Sequence, residues 1–143
     1  MTPNPTQALI ATYLKQLRLP TIAREYAALA REAEATNAGY LDYLRMLLEQ
    51  EVRQRDENQL NRRLRRANFP YEKRLEDFDF AALRSLQPAR VMELAKGAYI
   101  ARHENLLLVG PRGLGKTHLL IALGRAACFA GYRVIFRTAT ALA

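Results

Sequence analysis

Cysteine, tryptophan and downstream acid are what this 143-residue chain has least of. A single Cys128 cannot close an internal disulfide, and no Cys/His set has zinc-ligand spacing, so neither crosslink holds the fold. That scarcity fits a reducing compartment, and a cytoplasmic setting is expected. Long apolar runs are missing too, since no window approaches the roughly 18 apolar residues of a spanning helix. The N-terminus, Met1 to Gln7, carries Pro3 and Pro5 but no basic start followed by an apolar stretch, so neither secretion nor a membrane is expected. Acidic residues thin out along the chain. Residues 1–79 hold 13 basic and 12 acidic side chains, whereas 80–143 hold 9 basic ones against only Glu93 and Glu104. After Thr117 there is no Asp or Glu at all. Such a basic surface attracts polyanions, nucleic acid included, without reading their sequence. A chain that has lost balancing acidic residues would show the same excess.

Half the residues are hydrophobic, with seven Tyr and five Phe, enough to exclude wholesale disorder. Leu9, Ile10, Tyr13, Leu14 and Leu17 recur at helical spacing and predict a helix ending before Pro20. Thr21 is placed to cap a second helix that buries Ile22, Tyr26, Leu29 and Ala33 and ends near Gly39. A third helix is predicted from Tyr40 to about Ala67, with Leu44, Leu47, Leu48, Val52, Leu60 and Leu64 on its buried side. Its middle, Arg53 to Gln59, is polar all round. The pairs Glu49/Arg53 and Glu51/Arg55 would support it there, acid first at a spacing of four. Asn68, Phe69 and Pro70 end this helix and mark a boundary. Residues 1–70 thus read as a small helical unit, and 71–105 as a connecting segment with a short helix from Pro88. Leu106 to Val109 is a continuous apolar run suited to a strand covered on both faces. Thr117 to Ala130 returns to helical period with Gly131 as its cap, Arg133 to Phe136 reads as a second strand, and Thr138 to Ala143 as a first helical turn. The fold class expected is α/β.

Between that strand and that helix stand Gly110, Pro111, Arg112, Gly113, Leu114, Gly115, Lys116 and Thr117, which match G-x-x-x-x-G-K-[ST] at every required position. Gly113 and Gly115 let the loop turn so that successive N–H groups face a phosphate, and without Cβ atoms they admit it closely. Lys116 brings a compact positive charge, Thr117 a hydroxyl for Mg²⁺, and the helix start adds unpaired N–H groups and the positive end of its dipole. The phosphates of a nucleotide, with Mg²⁺, are what this pattern implies. His118 reads as a packing or polar surface residue, with a nucleotide-related role as the alternative. Cys128 reads as a small core residue. The run Arg62, Arg63, Arg65, Arg66, followed by Lys73 and Arg74, fits either phosphate contact or a solvated, dipole-matched helix end. No zinc or RNA-binding signature accompanies it, so any DNA contact would be non-sequence-specific.

With the motif placed, the whole chain resembles the IstB/DnaC branch of AAA+ ATPases, and most closely the IstB-like transposase helpers of bacterial insertion sequences. Tyr40–Glu51 (YLDYLRMLLEQE), Ala67–Arg74 (ANFPYEKR), Leu75–Phe80 (LEDFDF) and Val109–Gly124 (VGPRGLGKTHLLIALG) carry the resemblance. It implies an N-terminal helical domain that engages partners, then a P-loop parallel sheet of which 106–143 would be only the start. It implies ATP at Gly110 through Thr117, a homo-oligomeric full-length form on DNA, and a transposase of the same insertion sequence as partner. Hydrolysis in this class needs a Walker-B Asp and a neighbouring water-orienting group on a later strand. Glu93 and Glu104 precede the P-loop strand, so the chain as it stands is expected to bind ATP without hydrolysing it efficiently, as the N-terminal part of a longer protein would. A DnaC-like helicase loader and a helical interaction module with a vestigial P-loop are the competing readings. A small-molecule P-loop kinase leaves the helical N-terminus unexplained.

Overall fold

In the computed structural model, residues 4–83 and 85–142 are described. The expectations for Pro3 and for Ala143 lie outside them. The helices are α1 (Pro5–Gln16), α2 (Pro20–Ala35), α3 (Tyr40–Ala67), α4 (Pro88–Ala95), α5 (Ala98–Ala101) and α6 (Lys116–Phe129), followed by a 3₁₀ turn at Ala139–Ala141. The chain divides into two compact units, Met1–Asn58 and Gln59–Ala143, with α3 running through the division.

In the first unit α1 starts where a local cap dictates. Asn4 accepts a hydrogen bond from the Thr6 N–H at 3.0 Å, and Pro5 occupies the first helical position, where a missing N–H costs nothing. Arg18, at φ 57°, turns the chain into α2. That helix begins at Pro20, so Thr21 lies inside it and is not its cap, contrary to the sequence reading. The cap comes from α3 instead. Glu51 Oε2 accepts from the Thr21 and Ile22 N–H groups at 2.9 and 3.1 Å, while its Oε1 accepts from Arg55 Nε at 3.0 Å. Arg55 also donates to the Arg18 carbonyl at 2.6 Å, tying the α1–α2 turn to the same carboxylate. Burial works to raise the Glu51 pKa, but the Ile22 and Thr21 N–H groups and Arg55 outweigh it and hold the carboxyl below the ordinary glutamate range.

The inward row of α3 is therefore Leu47 and Glu51, one turn apart and both buried. Leu44, Leu48 and Val52 lie about half exposed, which corrects the expected buried side: a helix covered along one row cannot hide the rows beside it. Glu51 and Arg55 pair as expected, whereas Glu49 pairs with Arg45 at 2.8 Å instead of with Arg53.

In the second unit α3 ends at Ala67, and Asn68 takes a left-handed φ of 54° just ahead of Phe69–Pro70. Phe78, Val91, Leu119 and Leu123 form the core, with Leu75, Phe80, Leu83, Leu86, Leu94, Leu106 and Leu108 packed around it. The expected parallel sheet is not found: among the described residues there is no strand at all. Leu106–Val109 finds no backbone hydrogen-bond partner among the described residues, and of Arg133–Phe136 only the Phe136 N–H is paired, with the Ala67 carbonyl at 2.7 Å. A strand exists only through its ladder, and these two segments do not pair with each other. Both are extended and covered on one face only: Leu106 and Leu108 point inward, while Leu107 and Val109 are 83% and 92% exposed.

Candidate nucleotide-binding site

The loop from Gly110 to Thr117 leaves the extended Leu106–Val109 segment and opens α6, whose first residue is Lys116. Gly113 and Gly115 sit at φ +85° and +77°, conformations that side-chain-bearing residues avoid. This is where the motif needs its glycines. A Cβ on Gly113 would meet nothing within 4 Å, so that side of the loop is open space, whereas one on Gly115 would lie 2.9 Å from the Phe78 ring. The sequence reading thus placed the turning glycines correctly but did not foresee what lies beneath one of them.

Six consecutive N–H groups, from Gly113 to His118, find no acceptor among the described residues. The first intrahelical bond is Leu119 N–H to the Gly115 carbonyl at 2.9 Å, and no side chain caps the helix. The N–H groups at a helix start have no intrahelical acceptor and are met by side chains, water or a ligand. A run of them on a left-handed turn at a helix start is an anion-binding concavity, strengthened by the helix dipole. Lys116 Nζ donates across the loop to the Pro111 carbonyl, which keeps the ammonium at the loop. Thr117 is exposed and its hydroxyl makes no hydrogen bond among the described residues. The donor set fits the phosphates of a nucleotide. For Mg²⁺ it offers one hydroxyl, and among the described residues no group of three or more His, Cys, Asp or Glu could hold a metal. Mg²⁺ would accordingly be carried mainly by phosphate oxygens, its usual habit. Beside the loop opens a cavity of about 490 Å³, walled by Leu86, Arg90, Leu108, Leu114 and Lys116 and floored by Phe78, a size ordinary for a small-molecule site.

His118 lies in the first turn of α6 with its ring edge-on to Phe78, centroids 5.2 Å apart, and its Nε2 donates to the Arg74 carbonyl at 2.9 Å. It packs rather than facing the loop. Cys128 is fully buried, and burial raises its pKa, as a core thiol requires. Of the basic run, Arg62, Arg63 and Arg66 come together with Arg133 around a cleft of about 850 Å³ that no carboxylate lines. Arg65 is not part of it, and Arg74 is spent on an ion pair with Glu72 at 2.8 Å. Arg133 was legible only as a charge in the sequence; its place beside α3 depends on the return of the chain after Gly131.

Comparison with known proteins gives a consistent result. Residues 12–143 match the family described as IstB-like ATP binding protein. The ATP-binding protein named for insertion sequence IS5376 of Geobacillus stearothermophilus is 37% identical over 130 residues, 91% of this chain and 52% of its own length. Its namesake for insertion sequence IS21 of Pseudomonas aeruginosa is 39% identical over 123 residues, 86% of this chain and 46% of its own. A counterpart named for insertion sequence IS1162 of Pseudomonas fluorescens is 36% identical over 124 residues, covering 86% and 54%. The chain thus spans about half the length of the curated relatives it matches. Among the described residues no helix is long and apolar enough to cross a membrane.

Proposed function

The chain belongs to the IstB-like ATP-binding protein family, and from that membership we propose that it binds Mg²⁺-ATP through Gly110–Thr117 in the service of insertion-sequence transposition. The observation that carries the reading is the run of six N–H groups from Gly113 to His118 that are unpaired among the described residues, in a loop that Lys116 closes on the Pro111 carbonyl. In it Gly110, Pro111, Arg112 and Leu114 shape the loop, Gly113 and Gly115 turn it, and the backbone from Gly113 onward cradles the β-phosphate. Lys116 neutralises the β- and γ-phosphates, and Thr117 completes the shell of a phosphate-bound Mg²⁺. With no carboxylate after Thr117, the residues present hold the nucleotide without positioning an attacking water.

The same reading gives the protein a transposase of its own insertion sequence as partner, engaged by the N-terminal helices. It also gives a homo-oligomeric full-length form, non-sequence-specific contact with DNA, and a cytoplasmic site of action. The relatives are named for insertion sequences, which favours this role over helicase loading. The cleft of Arg62, Arg63, Arg66 and Arg133 supports the DNA contact, because guanidinium groups gathered around a cleft that no carboxylate lines among the described residues attract phosphates.

Equilibrium titration of the full chain with Mg²⁺ and a fluorescent ATP analogue tests the nucleotide reading. Saturable binding that unlabelled ATP reverses and Lys116→Ala weakens at least tenfold is expected. An isotherm identical in both proteins, or none in either, overturns it.

A further inference from the structure

α6 carries two notches, Gly115 at its start and Gly124 nine residues on, and each is filled by an aromatic ring from the segment that precedes the P-loop region in sequence. Phe69 stands where a Cβ on Gly124 would come within 2.9 Å of its Cε1, and Phe78 stands in the same relation, at 2.9 Å from its Cε2, to Gly115. Phe69 and Phe78 are themselves nine residues apart. Between them Glu72 accepts from Arg125 at 2.9 Å and the Arg74 carbonyl accepts from His118 at 2.9 Å. Residues 69–78 therefore run as a strap along α6 in the opposite direction, seated at both ends by a ring on a glycine.

The two seats are not equivalent. Gly124 lies within the helix, whose own hydrogen bonds fix it. Gly115 precedes the helix at φ +77°, and nothing in its own chemistry selects that conformation, because glycine populates both signs of φ. The Gly115 carbonyl is held by the Leu119 N–H and Lys116 bonds to the Pro111 carbonyl, but the unpaired N–H groups around Gly115 do not fix its φ. Phe78 does. Its ring is 8% exposed and is gripped by Phe80, centroids 4.9 Å apart, by His118, and by Val91 and Leu119 in the core. A ring held from several sides and pressed to the Gly115 Cα leaves that residue little room to rotate.

We propose that Phe78 is a positioning residue for the P-loop, a fixed floor that holds Gly115 left-handed so that the N–H groups from Gly113 to His118 converge before the nucleotide arrives. This rests on the loop being the phosphate cradle of the preceding section. Preorganisation of that kind raises affinity by removing an ordering cost from the binding step. In this arrangement Phe78 acts on the phosphates through the glycine, besides flooring the cavity beside the loop.

The test compares Phe78→Leu with Phe69→Leu in the full chain. Both remove a ring from a glycine seat on α6, and both should lower the melting temperature. Only Phe78→Leu should weaken Mg²⁺-ATP binding, by about tenfold, and only it should broaden or shift the Gly115 amide resonance of the nucleotide-free protein. Equal losses of affinity in the two variants would reduce Phe78 to a core residue, and unchanged affinity with an unchanged Gly115 signal would overturn the inference outright. Failure of the wild-type chain to bind nucleotide would strike the ATP reading instead, while the Gly115 resonance would still judge the floor.

Discussion

The carboxylate of Glu51 stabilises the first unit at a point where the sequence supplies no local cap, and its removal gives a quantity that can be worked out. The N-cap position of α2 is Leu19, which has no acceptor in its side chain, and Pro20 has no N–H to satisfy. The Thr21 and Ile22 N–H groups remain, on residues 4% and 6% exposed, and both are met by one oxygen of Glu51, itself 3% exposed. Glu51→Ala leaves both donors buried and unsatisfied, at about 1–3 kcal/mol each. The Arg55 partner is half exposed and adds little, so a loss of roughly 2–6 kcal/mol is expected. Glu51→Gln keeps an acceptor but not the charge, and should cost about 1 kcal/mol. Because the folded pKa lies below the unfolded value of about 4.3, this stabilisation is fully present above that pH and is lost as pH falls through the folded value. The gap between wild type and Glu51→Gln should accordingly narrow as pH falls below about 4.3. Urea denaturation of the full chain at pH 7 and at pH 3.5, with hydrogen exchange at the Thr21 and Ile22 amides, measures all of this. A Glu51→Ala variant within about 0.5 kcal/mol of wild type, or equally rapid exchange of both amides in the two proteins, would refute the reasoning.

Two other consequences can be measured directly. Gly124→Ala should gain about 0.5–1 kcal/mol from helix propensity, yet it sets a Cβ 2.9 and 3.0 Å from Phe69 Cε1 and Cζ. Overpacking at about 1–3 kcal/mol makes the net change a loss, and Phe69→Leu in the same chain should turn it into a gain, a coupling that thermal melts of the four proteins reveal. Arg66→Glu combined with Arg133→Glu should weaken binding to DNA of any sequence and lower the slope of log affinity against log salt by about 2, as read by fluorescence anisotropy across a salt series.

What could be read ahead of the structure was whatever contiguous residues decide. The limits of α3 are marked by Gly39 before it and Asn68–Phe69–Pro70 after it, and the helix occupies Tyr40–Ala67. The P-loop motif is eight consecutive residues read by type and order, so Gly113 and Gly115 were expected as its turning points, and both take a left-handed φ. The cap of α2 was misread because the acceptor lies thirty residues away, and Thr21, a good cap by type, is instead a donor to it. Phe78 was legible as an apolar anchor but not as the floor of Gly115, because nothing in the spacing of residues 78 and 115 announces their contact.

The strand expectation failed for a reason that the same segment explains. A continuous apolar run is the signature of a strand buried on both faces, and Leu106–Val109 has that composition. Composition records which faces tolerate apolar contact; a strand needs hydrogen-bonded neighbours in addition, and these come from elsewhere in a chain. Here the inner residues, Leu106 and Leu108, reach the core around Phe78 and Leu119, while Leu107 and Val109 face outward with the backbone unpaired. The segment is already extended, alternates at the strand period and leads straight into the phosphate loop. Its position therefore rests on one row of side chains, and so does the entry to Gly110. The exit from the loop is held differently, by α6 and by Phe78 under Gly115. Of the two ends of the Gly110–Thr117 loop, the Lys116 end is the one the described residues fix, and that is the end that carries the charge and the unpaired N–H groups on which the proposed phosphate recognition would depend.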